Sequence, residues 1–153
     1  MTGIVKEIYI SETGAQPCIQ SSAQVEANKG VVGDRYYKGG GTFSEKLAGN
    51  RKSEITFIAS EEIDQFNASQ NETLGYGDVR RNIVTQGIQL KDLIGKEFSI
   101  GQARFLGIEH CEPCSHLAAT VNQKVLPHLA HTGLRAAILE SGEIKVGQEI
   151  ASK

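Results

Sequence analysis

Two sulfurs and two imidazoles fall within the seven residues His110-Cys111-Glu112-Pro113-Cys114-Ser115-His116. A cysteine that follows a proline at the start of a helix meets unpaired backbone N–H groups and the positive end of the helix dipole, and both favour the thiolate. Cys114 fits that position, with Cys111 as its neighbour in a Cys-x-x-Cys pair. The thiolate is the form that attacks electrophiles and binds metals. Two other chemistries compete: part of a tetrahedral zinc site built with the flanking histidines, and a dithiol that cycles through a disulfide. The second lacks the βαβ pattern that would support a thioredoxin-like reading. Free cysteine is also among the most buried residue types. Cys18, with no polar cluster around it, is expected to be such an inert residue.

Arginines suggest a second function. Arg35 lies in a glycine-rich stretch, Arg80 and Arg81 precede Asn82, and Arg135 follows His131 and Gly133. Guanidinium forks match phosphate and carboxylate, and glycine-loop amides can line the same anion. For any single arginine, solvation or a pair with Asp34, Asp78 or Glu112 is the better explanation. Only convergence on Cys114 would decide between these readings. His131 either donates to a ligand or caps a helix that ends at Leu129, whereas His128 reads as structural. No Ser-His-Asp set is visible, and Gly39 to Gly41 lack the Lys-Ser/Thr that a P-loop needs.

The elements that must position these groups read mainly as strands. Ile4 to Ile10 and Glu54 to Ala59 alternate; Ser60, with Glu61 and Glu62 behind it, is expected to cap a short helix that carries Ile63 and Phe66. Residues 67–78 read as a polar surface loop, and Arg81 to Thr85 resumes a strand. Leu90, Leu93 and Ile94 before Gly95 fit one helical turn, after which Glu97 to Ile100 and Ala103 to Ile108 form a hairpin around Gly101. Leu117, Val121, Val125 and Leu129 recur every four residues, a helical spacing interrupted by Pro127, so the sulfur cluster is expected at a strand-to-helix junction. Leu134 to Leu139 and Glu143 to Ile150 read as two strands in a hairpin around Ser141-Gly142.

The sum is a mainly β, barrel-like fold with a few short helices, one of them after Cys114, in a single domain over residues 1–153. A net charge of −2 supplies no basic field for nonspecific nucleic-acid binding. No apolar run approaches the roughly 18 residues of a membrane helix, and no apolar leader follows Met1, so no membrane association and a cytoplasmic location are expected. Three cysteines without a leader read as free thiols rather than a disulfide framework.

The order Gly33-Asp34-Arg35-Tyr36, Arg81-Asn82-Ile83-Val84-Thr85, Leu93-Ile94-Gly95, Cys111-Glu112-Pro113-Cys114 and Gly133-Leu134-Arg135 resembles a stand-alone MOSC domain, over almost the whole chain. That family is named for the C-terminal domain of molybdenum cofactor sulfurases. The resemblance implies a β-barrel-rich fold and a role with the molybdenum cofactor, either carrying sulfur as a cysteine persulfide or holding molybdenum of a bound molybdopterin through one thiolate. Cys114 matches the family's functional cysteine, as catalytic group and metal ligand, with Cys111 beside it. Arg81, Asn82 and Arg135 match recurring polar positions and, with Arg35 and His131, are expected to bind the cofactor. Tyr36 stands where many relatives carry histidine.

Sulfurases of the family join this domain to one with a lysine-bound pyridoxal phosphate, and no such lysine site is recognised here. The implied partners are a cysteine desulfurase or other sulfur donor, and a molybdoenzyme or redox partner. A sulfurtransferase and a molybdenum-dependent oxidoreductase are both open as activities. Two alternatives stand beside the sulfur-carrier reading: a zinc-stabilised, non-catalytic binding module, and a molybdenum-dependent reductase of N-hydroxylated compounds, as amidoxime-reducing relatives suggest.

Overall fold

The computed structural model describes residues 2–12, 17–34, 37, 54–111 and 132–152. In the first strand, β1 (Thr2–Ile10), alternation buries Gly3 and Val5, and an irregularity between Val5 and Glu7 shifts the phase so that Ile8 is buried as well. Short strands follow as β2 (Cys18–Gln20), β3 (Ser22–Glu26) and β4 (Gly30–Val31). Next come β5 (Ile55–Ala59), helix α1 (Ser60–Gln70) and β6 (Ile83–Gln86), then β7 (Glu97–Ile100), β8 (Ala103–Cys111), β9 (Gly133–Glu140), β10 (Gly142–Lys145) and β11 (Glu149–Ser152). Seven of the described strands pair in the order β11-β7-β8-β9-β5-β6-β1, and a further β11–β1 pairing closes them into a barrel. β2 adds to the outer edge of β1, and β10-β3-β4 form a separate small sheet.

The interior is apolar and aromatic. Phe57, Phe98 and Phe105 meet with ring centroids 5.3 to 5.8 Å apart, two pairs edge-to-face and one stacked. Such pairs add roughly 0.5–1.5 kcal/mol each beyond burial. A second, smaller cluster lies on the other face of the sheet, where Ile63 and Phe66 of α1 pack on Ile58, Val79 and Val84. Gly107 admits the 3-10 turn Leu90–Leu93 against β8: a Cβ there would lie 2.0 Å from the Leu93 carbonyl oxygen.

Several expectations need correction. The Leu134–Ile150 region is not a hairpin: β9 pairs with β5 and β8, β10 pairs with β3, and β11 closes the barrel against β1 and β7. The turn at Ser141-Gly142 hands the chain from one sheet to the other, and a second turn at Val146-Gly147 divides the last segment. Ser60 is the first residue of α1 rather than its cap; Ala59 occupies that position without a side-chain bond, and the Ser60 hydroxyl donates to Glu61 instead. Residues 67–78 are more ordered than a polar loop: α1 runs to Gln70, Tyr76–Val79 form a 3-10 turn, and the Asn67 amide clamps both backbone groups of Leu74 at 2.9 Å. A βαβ unit does exist, since β5 and β6 are parallel and α1 connects them. The unit does not itself carry the Cys-x-x-Cys pair, whose first residue, Cys111, ends β8. The expected helix after Cys114 lies outside the described residues.

Candidate functional site

Cys111 ends β8 and pairs with Gly133, which opens β9. The fit is close enough to exclude a side chain at 133: a Cβ would stand 2.5 Å from the Cys111 carbonyl oxygen and 3.1 Å from its Cβ. That carbonyl also accepts from the Arg81 guanidinium, Nη2 at 3.3 Å. Beside it, His110 Nδ1 faces the Gly133 carbonyl at 3.3 Å. The backbone at the first residue of the cysteine segment is therefore held by a strand partner and by an arginine from the turn before β6. Arg81 is thus brought to the Cys111 carbonyl; Cys114, on which the anion-binding reading of the arginines turns, lies outside the described residues.

Arg135 joins the same neighbourhood through register. It is the Cα partner of Glu109 on one side and of Thr56 on the other. Its neighbours Leu134 and Ala136 point into the core, so strand alternation places Arg135 on the opposite face of the sheet, half-buried. Thr56 shares that face, flanked by the inward-facing Ile55 and Phe57.

Asn82 connects these pieces, and its side chain is spent on the protein. Its Oδ1 accepts from the Thr56 N–H at 3.1 Å and the Thr56 hydroxyl at 3.2 Å, while Nδ2 donates to the Tyr9 carbonyl and to Asp34 Oδ1, each at 3.3 Å. An amide has two donor hydrogens and two acceptor lone pairs, and all four are engaged. Asn82 therefore positions its neighbours and offers no free hydrogen-bonding atom to a ligand. Asp34, 3% exposed, accepts also from the Ser11 N–H at 3.0 Å. Arg80, in the left-handed conformation at φ 62°, sends its guanidinium to the Ser11 hydroxyl at 3.4 Å.

Of the residues singled out in the sequence, Cys111, Arg81, Asn82 and Arg135 are brought together; Cys114, Arg35 and His131 lie outside the described residues. Cys18 is exposed, not the buried small hydrophobe expected, because β2 is a short edge strand with little packed over it. Asp34 and Thr56 were missed as members of the site. Asp34 was visible in the Gly-Asp-Arg step, whereas nothing local marks Thr56, whose role depends on β5 and β6 lying side by side. Tyr9, whose carbonyl enters the network, has its phenol pKa pushed well above the ordinary tyrosine value by burial and by its hydrogen bond to Glu7. Among the described residues no three His, Cys, Asp or Glu side chains stand together as a metal site. No helix among the described residues is long and apolar enough to cross a membrane.

A family model described as the MOSC domain matches residues 44–151. No curated protein matches the chain. Among solved structures, the YuaD protein of Bacillus subtilis is similar at a TM-score of 0.82 and 18% identity, over 98% of this chain and 94% of that one. YiiM from Geobacillus stearothermophilus follows at 0.72 and 15%, over 100% of this chain and 75% of that one. YiiM from Escherichia coli is similar at 0.69 and 15%, over 100% and 70%. At such identities the likeness to these structures is one of fold.

Proposed function

Because the chain belongs to the MOSC domain family, which is associated with molybdenum-cofactor-related functions, we propose that it is a molybdenum-cofactor-linked sulfur carrier or cofactor-binding protein that works through the Cys114 thiolate. The observation that carries this reading is the Arg81 guanidinium at 3.3 Å from the carbonyl of Cys111, three residues before Cys114. A cationic fork beside a cysteine segment suits a ligand that is both anionic and sulfur-seeking. Arg135, half-buried two strand positions from Gly133, supplies a second fork nearby.

These residues fit molybdopterin in kind: soft thiolate for the metal, and guanidinium for phosphate. When bound, that cofactor would supply a metal centre that exchanges oxygen or sulfur ligands. The protein's own part is to hold the anionic end with Arg81 and Arg135 and to present the thiolate. In the sulfur-carrier form, the Cys114 thiolate attacks the terminal sulfur of a donor protein's cysteine persulfide. A new S–S bond forms, the donor S–S bond breaks, and the donor cysteine leaves as thiolate, with no net oxidation. A cysteine desulfurase or an equivalent donor would load the carrier, and a molybdoenzyme would receive the sulfur.

The test is co-expression with a molybdopterin-synthesising host, followed by pterin and molybdenum assay of wild type, Arg81→Gln and Cys114→Ser. Loss of pterin with Arg81→Gln and of molybdenum or persulfide with Cys114→Ser is expected. Retention of both groups by both variants would overturn the reading, and stoichiometric zinc bound through Cys114 would favour the structural-module alternative.

A further inference from the structure

The geometry points to Asp34 and Asn82 as a positioning latch for Arg81, and we infer that the hydrogen bond between them sets the affinity of the anion site. The inference rests on the anion-binding reading above and adds to it two residues that touch no ligand. One carboxylate and one amide join four separate chain segments: the end of β1 through Ser11 and the Tyr9 carbonyl, the turn after β4 through Asp34, the start of β5 through Thr56, and the turn before β6 through Asn82 itself. Asn82 is 9% exposed and Asp34 3%, so these bonds are little diluted by water.

Arg81 is the residue between this anchor and the left-handed Arg80. A left-handed residue that is not glycine persists only where its surroundings enforce it. Here the fixed backbone on its far side is that of Asn82, whose N–H also donates to the Thr56 hydroxyl at 3.0 Å. With both ends of the Arg80-Arg81 step set, the long Arg81 side chain is aimed at the Cys111 carbonyl, across 30 residues of sequence. Preorganising a flexible arginine removes an ordering cost from ligand binding. The Asp34–Asn82 bond spans 48 residues and links the first glycine-rich loop to that arginine.

The separating variant is Asn82→Asp. It keeps acceptors for Thr56 but sets a second carboxylate against Asp34 and the Tyr9 carbonyl, breaking the latch. The double variant Asp34→Asn with Asn82→Asp restores one amide–carboxylate bond at wild-type net charge. Thr85→Ala serves as the stability control: its hydroxyl donates to the Ile58 carbonyl within the same parallel pair of strands and does not reach Arg81.

Two readouts are taken on isotope-labelled protein: the Arg81 side-chain N–H resonances, and the affinity for inorganic pyrophosphate. The latch predicts that Asn82→Asp broadens or shifts the Arg81 resonances and weakens pyrophosphate about tenfold, as loss of a charge-assisted contact would. The double variant should recover much of both, and Thr85→Ala should change neither while lowering the melting temperature. Arg81 resonances unchanged in Asn82→Asp would overturn the latch, whatever the affinity does. Resonances that respond as predicted, in a protein whose wild type does not bind pyrophosphate, would uphold the latch as an aligner of Arg81 and overturn the anion site.

Discussion

Replacing Gly133 by alanine should damage the fold and the site together. The φ of Gly133 is not among the positive values, so the cost is contact rather than backbone conformation. The new Cβ would lie 2.5 Å from the Cys111 carbonyl oxygen, 3.1 Å from its Cβ and 3.4 Å from its carbonyl carbon. The nearest of these is a backbone atom paired in the β8–β9 ladder and cannot rotate away, so the strands must part. Overpacking of this kind costs about 1–3 kcal/mol, and weakening of the Arg81 bond to the same oxygen adds about 1 kcal/mol. For a chain of this size each kcal/mol lowers the melting temperature by roughly 2–4 °C, so a fall of about 5–15 °C is expected. Cys111, 1% exposed in the native protein, should also react faster with iodoacetamide as β8 and β9 separate. Thermal denaturation and peptide-level mass spectrometry after timed alkylation measure the two effects. A melting temperature within about 2 °C of wild type, with Cys111 still protected, would refute the close-approach argument.

In the native wild type, Cys18 should alkylate far faster than Cys111, because one is exposed and the other buried; equal rates would contradict the placement of β2 or the end of β8. Glu54, 5% exposed, accepts from the Ile138 N–H at 2.9 Å, so Glu54→Leu should lose about 1–3 kcal/mol by orphaning that donor, read from urea denaturation, with Glu54→Gln much closer to wild type. Tyr76 donates to Asp64 at 2.8 Å, and that bond, ahead of burial, pushes its pKa up to about 12. The folded value exceeds the unfolded 10.0, so this contribution to stability is whole below pH 10 and is lost as pH rises toward 12. Ultraviolet titration should show the Tyr76 phenolate appearing late in wild type and earlier in Asp64→Ala.

Strands marked by alternating or continuous apolar residues were legible: β1, β5, β7, β8 and β9 stand where Val5 and Ile8, Ile55 and Phe57, Phe98 and Ile100, Phe105, and Leu134 and Ile138 mark them. Their partners were not legible, because pairing is set by contacts distant in sequence. The segment ending in Ile150 illustrates this: Gly142 offers a turn, yet Ile144 is buried beside β3 and Ile150 in the barrel, in different sheets. The same limit applied to the site. Arg81, Asn82, Cys111 and Arg135 were found by residue type and by resemblance. That Asn82 is a scaffold residue follows only once Tyr9, Asp34 and Thr56 meet it, at separations of 73, 48 and 26 residues. Helix α1 was recognisable from Ile63 and Phe66, but its cap was not, since Ser60 is 2% exposed and turned toward Glu61.

The proposed function depends on Cys114, and its most direct test is intact-protein mass with metal analysis of freshly purified, unreduced wild type beside Cys114→Ser and Cys18→Ser, after incubation with a persulfide donor or a molybdopterin source. The expected result is an added mass of about 32 Da, one persulfide sulfur, or stoichiometric molybdenum, in wild type and Cys18→Ser and absent from Cys114→Ser. The same sulfur or metal on Cys114→Ser, or equal loss from both variants, would contradict it.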